Sequence, residues 1–309
     1  MRWYSGFRWG TPPAEGEGSE ALPNLARMLE RRLLIVTGKG GVGRSALSAA
    51  AALHAAKHGR RVLAIAMTDP VGLGAHLRVP TLGPDVVVVR PGLNALAVDP
   101  AAALDEYLRL RLKVPRFGPA TRAFRVLAET VPGIRDTVVM GKILYEAGRD
   151  KWDLVVADAP PTGQVMSYLR APATIESLVP SGRVKEQSAW MRNTLADPGL
   201  TGLMIAATPE ELPVAEAVET LSTLTAEGLV GVAGVVANRV LPPLAIAADR
   251  IALEPAGPRR AAAALHLEVE TAQRTHLARL RPDITFPLLF GLRTPGEVAS
   301  QLSELWDVA

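Results

Sequence analysis

Cysteine is absent from this chain of 309 residues. Its absence excludes disulfide bonds, thiol catalysis, iron–sulfur clusters and every metal site built on thiolate ligands. Aromatic residues are also scarce, at 5% of the sequence. No apolar run reaches the roughly 18 residues that a membrane-spanning helix requires, and the first ten residues lack the apolar centre of a secretory signal. We therefore expect a globular protein of the cytoplasm, peripheral to a membrane only through a partner.

A strong charge of either sign is missing as well. The 34 lysines and arginines nearly balance the 31 acidic residues, which leaves a net charge of +3. Because such a balance gives no clear electrostatic footprint, we expect no nucleic-acid partner. We predict a disordered arm over residues 1–18 and a single domain over 19–309. Four of the first nine residues are aromatic, so the arm either packs on its own domain or docks a partner.

What the sequence does contain is a glycine-rich loop between a predicted strand and a predicted helix. The apolar run Leu33–Val36 precedes it and an alanine-rich run follows it. Backbone N–H groups can wrap phosphate oxygens where glycine leaves room, and the following helix directs its N-terminal dipole at the same anion. The loop matches G-x-x-x-x-G-K-[ST] except that arginine replaces the lysine. It predicts a phosphate site at Gly38, Lys39, Gly40, Gly41, Val42, Gly43, Arg44, Ser45 and Ala46.

Unbroken apolar strands alternate with helices along much of the remaining chain. This pattern predicts an α/β fold of the P-loop NTPase class, with a mostly parallel, doubly wound sheet and helices on both faces. The first helix is predicted over Arg44–His58, and the second strand ends at Thr68-Asp69-Pro70, with no helix predicted directly after it. The predicted central strands are Arg32–Thr37, Arg61–Met67 and Asp153–Ala157. A helical subdomain interrupts the alternation at about residues 99–150 and 164–200, and it includes a predicted helix over Ala120–Glu129 and a polar, partly helical segment over Val179–Pro198. Apolar residues at helical spacing in these segments, such as Val139 and Met140, fit either a core or a binding rim.

Two aspartates follow predicted strands of this sheet. Asp69 comes after the second strand and Asp158 ends a later one. Ligands of such sheets bind at the carboxyl ends of the strands. Either aspartate alone fits a turn or a helix cap, but together with the glycine loop they indicate magnesium binding and water activation.

Four segments resemble the family of ArsA-type anion-pump and tail-anchored-protein-targeting (GET/TRC) ATPases, whose phosphate loop is a deviant Walker A motif. The similarity covers roughly Arg32 to Trp306, and its most specific parts are the double-glycine loop and the D-A-P-P-T-G segment. The four segments are Gly38–Ser45, the first switch Thr68-Asp69-Pro70, Pro132-Gly133-Ile134, and the second switch Asp158–Gly163 followed by Leu169-Arg170-Ala171-Pro172.

The resemblance implies a role for each matching residue. Lys39 would reach across a dimer interface to the partner's phosphates, and Asp69 would orient the attacking water. With Arg44, these are the candidate catalytic residues. Ser45 and Asp158 would hold Mg²⁺. ATP or ADP would contact Gly38, Gly40, Gly41, Val42, Gly43, Arg44, Ser45, Ala46, the γ-phosphate sensor Gly163, the adenine-reading Asn238 and, beside that pocket, Pro287.

Departures from the family pattern leave more than one hypothesis open. Arginine keeps the charge of the lysine, but its planar guanidinium differs in shape from an ammonium, so hydrolysis of ATP to ADP and phosphate stays open. The first hypothesis is an ATPase switch in which a dimer couples its nucleotide state to a protein client or membrane partner. The alternative is a degenerate, nucleotide-binding regulatory subunit that forms a heterodimer with an active paralogous ATPase.

Two further features of the sequence bear on which class of ATPase it encodes. Without cysteine, the chain lacks both the arsenite-binding thiols and the dimer-bridging zinc ligands that some family members use. A ParA/MinD-like positioning ATPase shares the loop type, but the acidic end Glu304-Leu305-Trp306-Asp307 argues against its membrane-binding form.

Overall fold

A mostly parallel β-sheet organises the protein, for which the computed structural model describes residues 28–111, 133–244 and 257–306. The strand order is β3-β4-β2-β5-β1-β6-β7-β8. All neighbours are parallel except the antiparallel pair of β3 and β4. The predicted sheet type is confirmed. The strands are β1 Leu33–Gly38, β2 Val62–Ala66, β3 Val87–Arg90, β4 Leu93–Ala97, β5 Leu154–Asp158, β6 Thr201–Ala207, β7 Val232–Val240 and β8 Ile284–Pro287.

Helices cover both faces of the sheet, as the sequence predicts. On one face, α1, α2 and α9 share a core with the strands, and on the other face α4 to α8 do so. α3 packs against α4. Within the described residues the helices are α1 Arg44–Lys57, α2 Pro70–Leu77, α3 Pro100–Arg111, α4 Ile134–Ala147, α5 Thr162–Leu178, α6 Arg183–Ala196, α7 Glu211–Glu227, α8 Pro258–Leu280 and α9 Pro295–Leu305.

The two helices nearest the glycine loop differ in how well they can be predicted from the sequence. α1 is predicted almost to the residue, and its buried alanines let it lie close on the sheet. α2 is missed, because Gly72 and Gly74 indicate a loop. It forms because Asp69 caps its N-terminus by accepting from the Gly72 N–H at 2.8 Å, and Pro70 occupies its first turn.

The predicted helical insertions are only partly described. α3 and α4 fall in the first segment, and α5 and α6 in the second, where α6 is a complete helix rather than the partly helical segment that we predicted. Val139 and Met140 are fully buried, so these two belong to the core and not to a rim. The predicted arm at 1–18 and the predicted helix over Ala120–Glu129 lie outside the described residues.

A buried ionic cluster joins α3 to α4. The Glu146 carboxylate is buried and accepts hydrogen bonds from Lys142 at 3.0 Å, Arg149 at 3.1 Å and the Trp152 indole at 3.0 Å. Lys142 also donates to Glu106 of α3 at 2.8 Å. Burial on its own raises the pKa of Glu146, but these hydrogen bonds and positive charges outweigh it and lower that pKa.

None of the helices in the described ranges combines the length and the apolar character that crossing a bilayer would require.

Candidate functional site

The predicted site residues meet at one edge of the sheet. Because β1, β2, β5, β6, β7 and β8 run parallel, their carboxyl ends share this edge. The glycine loop follows β1, Asp69 follows β2, Asp158 ends β5 and Pro287 ends β8, with Asn238 close to the end of β7. Five elements that are far apart in sequence therefore supply one site.

Glycine is required at both ends of the loop because other groups approach its backbone closely. A Cβ at Gly38 would lie 2.2 Å from the carbonyl oxygen of Ala206, and a Cβ at Gly43 would lie 2.5 Å from Nδ2 of Asn238. Gly43 also has a φ of 94°, in the left-handed region. As the N-cap of α1 it provides no capping side chain, so the first-turn N–H groups of α1 are suited to an anion.

Ser45 and Asp158 form a hydroxyl–carboxylate pair beside the loop. Ser45 Oγ donates to Asp158 Oδ2 at 2.7 Å, and Ser48 Oγ donates to Oδ1 at 3.2 Å. Burial raises the pKa of Asp158 to about 6, against the opposing effects of the Ser45 hydrogen bond and the Arg44 charge. A cation at this carboxylate would favour its charged form. The oxygen donors fit Mg²⁺, which needs few protein ligands because it keeps several waters.

The first switch lies against the same serine. A Cβ at Gly72 would come within 2.3 Å of Asp69 Oδ2 and 3.1 Å of Ser45 Oγ. The Asp69 carboxylate therefore caps α2 through one oxygen and lies close to the loop through the other. Asp69 is exposed, so its carboxylate is accessible to a water molecule.

Lys39 is engaged within its own chain. Its ammonium pairs with the Glu216 carboxylate of α7, whose other oxygen accepts from the Thr162 hydroxyl at 3.1 Å. The Lys39 hydrogen bond lowers the pKa of Glu216. Glu216 thus connects the phosphate loop with the second switch. The sequence analysis missed this contact, because nothing in the spacing of the two residues indicates it.

Arg44 contacts the second switch directly. Its Nη1 donates to the backbone carbonyl of Ala159, the residue after Asp158. Burial lowers the pKa of Arg44, while the charges of Asp158 and Asp69 act in the opposite direction. The guanidinium therefore lies within electrostatic reach of Asp158, the predicted metal ligand, and of Asp69, the predicted residue that orients the attacking water.

The other three residues predicted to contact the nucleotide differ in exposure and in the contacts they make. Gly163 is exposed in the first turn of α5, and Pro287 is half-buried. Asn238 is buried, and its Nδ2 donates to the carbonyl of Val42 at 2.8 Å. Asn238 therefore supports the loop backbone in this structure. This contact differs from the predicted role, in which Asn238 would read the adenine.

Comparison with known proteins assigns this arrangement to a family. Residues 31–182, which include the loop and both switches, match the model of the anion-transporting ATPases, ArsA_ATPase. ATPase BagA of Mycobacterium tuberculosis is 34% identical over 231 residues, which make up 70% of this chain and 67% of BagA. The chain belongs to the ArsA family of ATPases. The predicted resemblance is therefore confirmed, and membership in the ArsA family supports nucleotide binding and an ATPase function.

Other ArsA-family relatives match over a smaller part of their length. The arsenical pump-driving ATPase of Escherichia coli is 29% identical over 242 residues, 71% of this chain and 41% of that protein. ATPase get3 of Schizosaccharomyces pombe is 30% identical over 158 residues, 50% of this chain and 47% of that protein. The chain thus spans less than half of each of these two relatives.

Proposed function

We propose that this ArsA-family chain is an ATP-dependent switch that binds and hydrolyses ATP as a dimer. One observation carries the proposal: the glycine loop, the Ser45–Asp158 pair and Asp69 converge on one edge of the sheet. Phosphoryl transfer is catalysed mainly by positioning and by charge stabilisation. The loop amides and Arg44 would bind the phosphates. The hydroxyl–carboxylate pair would bind a metal ion, and Asp69 would orient the attacking water.

Mg²⁺ would be held by the Ser45 hydroxyl and the Asp158 carboxylate. When bound, the ion offsets negative charge on the phosphates. The protein's own contribution is a carboxylate that two serines hold in place. Burial opposes ionisation of Asp158. A bound cation would favour the charged carboxylate, so this side chain suits a metal ligand.

The position of Lys39 is an argument for the proposed dimer. It lies on the loop with about a third of its side chain exposed, paired with a half-exposed Glu216. A partner's phosphate would replace one anion, the Glu216 carboxylate, with another at little electrostatic cost. The partner would be a second copy or a paralogous ATPase. Because the second switch leads directly into α5, a change at Gly163 would pass to the helices that face a client or membrane partner.

The comparisons do not support the alternative of a regulatory subunit, since the matched relatives are named as ATPases. Magnesium-dependent ATP turnover of the purified chain, measured beside Arg44→Lys, separates the two hypotheses. Turnover by the chain itself, not raised by Arg44→Lys, would exclude the regulatory subunit. Nucleotide binding without turnover, with turnover gained in Arg44→Lys, would favour it. Failure of both proteins to bind a fluorescent ATP analogue would overturn the proposed function.

Asp69→Asn tests the role of the first switch. Asparagine keeps the helix cap but removes the charged carboxylate, so we expect turnover to fall about 100-fold with unchanged folding. Asp99 provides a matched control, because it also follows a strand and caps a helix, accepting from the Ala102 N–H at 2.7 Å. Asp99→Asn should keep full turnover. Equal activity of the two variants would remove Asp69 from the mechanism.

A further inference from the structure

The second switch is fixed by several hydrogen bonds, and two of them come from side chains of the phosphate loop, Ser45 to Asp158 and Arg44 to Ala159. The Ala159 N–H donates to the Val36 carbonyl at 2.9 Å, and Thr37 Oγ1 donates to the Pro160 carbonyl at 2.8 Å. These two bonds come from β1 and lie on the sheet side of the segment. Arg44 donates to the Ala159 carbonyl. The arginine is therefore a direct link from the loop to the backbone of the switch, beside the Ser45–Asp158 bond and the Lys39–Glu216–Thr162 contact.

The chemistry of the guanidinium allows it to serve two acceptors at once. It carries five N–H donors in a planar fork, of which one bonds the Ala159 carbonyl, whereas a lysine offers one compact ammonium on a different stem. The lysine of the common loop motif is thus not an equivalent of Arg44. The charges of Asp158 and Asp69 act on the same guanidinium, which places it where the proposed phosphate and metal ligands meet.

We propose that Arg44 is a positioning residue that couples phosphate binding to the second switch by donating to the Ala159 carbonyl while its other N–H groups bind a phosphate. This inference rests on the proposed nucleotide binding and adds a route by which binding is communicated. Phosphate would orient the guanidinium and so restrain the chain from Ala159 to Gly163. Pro160 and Pro161 lack backbone N–H groups and are stiff, so the restraint passes directly to the first turn of α5.

Hydrogen exchange of the peptide that covers residues 159–168 measures this coupling without using activity. The full chain is compared with Arg44→Lys, each with and without Mg²⁺ and a non-hydrolysable ATP analogue whose binding is measured in parallel. In the unchanged chain we expect the analogue to slow exchange in this peptide about tenfold, because the phosphate charge fixes the guanidinium and so strengthens its existing bond to the Ala159 carbonyl. In Arg44→Lys the analogue binds, but exchange should slow less than about twofold.

Arg60→Lys is the matched control, because Arg60 is also a partly buried arginine that donates to backbone carbonyls, including that of Asp153 at 2.7 Å. It lies at the amino-terminal edge of β2 and β5, so it should not alter the nucleotide-dependent exchange of residues 159–168. If Arg60→Lys loses the nucleotide-dependent slowing of exchange as completely as Arg44→Lys does, the loss reflects general destabilisation. That result would overturn the inference.

The outcomes separate the inference from the proposed function. Equal slowing of exchange in the unchanged chain and in Arg44→Lys overturns the inference and leaves nucleotide binding intact. No binding of the analogue by the unchanged chain overturns both. If Arg44→Lys does not bind, the samples without nucleotide decide, because loss of the Ala159 bond should speed exchange of this peptide about tenfold. Unchanged exchange in those samples contradicts the inference, and circular dichroism confirms that the variant is folded.

Discussion

Two glycines of the phosphate loop differ in what surrounds their α-carbons. Gly43 has a positive φ and lies against the buried Asn238, whereas a Cβ at Gly40 would meet no atom within 4 Å. The first needs glycine for a reason of packing and backbone conformation. The second lies on the exposed part of the loop, where a methyl group has space.

We therefore predict that Gly43→Ala lowers the free energy of unfolding by about 1–3 kcal/mol, through strain and through displacement of Asn238 from the Val42 carbonyl. Urea denaturation measures this change. Gly40→Ala, the control, should stay within about 0.5 kcal/mol of the unchanged chain. Similar stabilities of the two variants would show that the close approach of Asn238 does not constrain the loop.

At this scale the sequence predicts much of the site, because glycine spacing and strand-end aspartates are local signals. Asp69, Asp158 and the loop do meet as expected. The Lys39–Glu216 pair could not be predicted from spacing, because the two residues are 177 positions apart on different elements. The Arg44 contact could not be predicted either, since its acceptor is a backbone carbonyl, which every residue carries.

At the scale of elements, α3 and α4 are joined by the buried Glu146 cluster, and this makes their association sensitive to acid. A carboxyl whose pKa is lowered in the folded state stabilises that state above its unfolded pKa, and the stabilisation is lost as pH falls through the folded pKa. For Glu146 the stabilisation is thus present at neutral pH and disappears in acid.

Glu146→Gln should lower the free energy of unfolding by about 3 kcal/mol at pH 7, because Lys142 keeps a buried charge with less compensation. The difference from the unchanged chain should shrink below about pH 4, where glutamate itself becomes protonated. Denaturation at a series of pH values measures both effects. Glu227→Gln, which removes an exposed pair with Arg170, should change stability little at any pH. A difference for Glu146→Gln that does not vary with pH would contradict the assignment.

Helices and strands were predicted best where apolar periodicity or an unbroken apolar run is long. α1 and the central strands agree with prediction within one or two residues, since the strands are buried throughout and α1 is buried along most of its length. The short α2 was missed because its glycines outweighed the Asp69–Pro70 start signal, which only the structure shows to be decisive. α6 was underestimated because few of its residues are buried, so its apolar periodicity is weak.

For the whole molecule, the carboxyl edge of the sheet is also where large apolar side chains remain exposed. Leu212 is 65% exposed at the start of α7, four residues before Glu216 and therefore on the same side of the helix. Other apolar residues exposed after strands of this edge are Val71, Phe290 and Leu292. Because these residues follow strands at the edge that also carries Lys39, they support a surface on which a second subunit would cover the nucleotide.

We predict that Mg²⁺ and a non-hydrolysable ATP analogue convert the chain from monomer to dimer, as measured by size-exclusion chromatography with light scattering. Leu212→Asp should raise the dimer dissociation constant at least about tenfold, because a leucine side chain buried in an interface contributes about 1.5–3 kcal/mol. Val88→Asp is the control, since Val88 is at least as exposed as Leu212 but lies on the edge strand β3. Association that is indifferent to nucleotide, or equally weakened by both variants, would contradict this dimer surface.

The strand order also has a consequence for how the protein forms during synthesis. β1 lies between β5 and β6, and its residue Leu33 pairs with Val155 and Thr201, which follow it by more than 100 positions in the chain. At about 5–20 residues per second, the ribosome needs on the order of ten seconds to supply β5 after β1. During that time β1 and the alanine-rich α1 have emerged without the strands that complete their core. The phosphate loop, although it is encoded early, can take its final shape only after most of the chain has been translated.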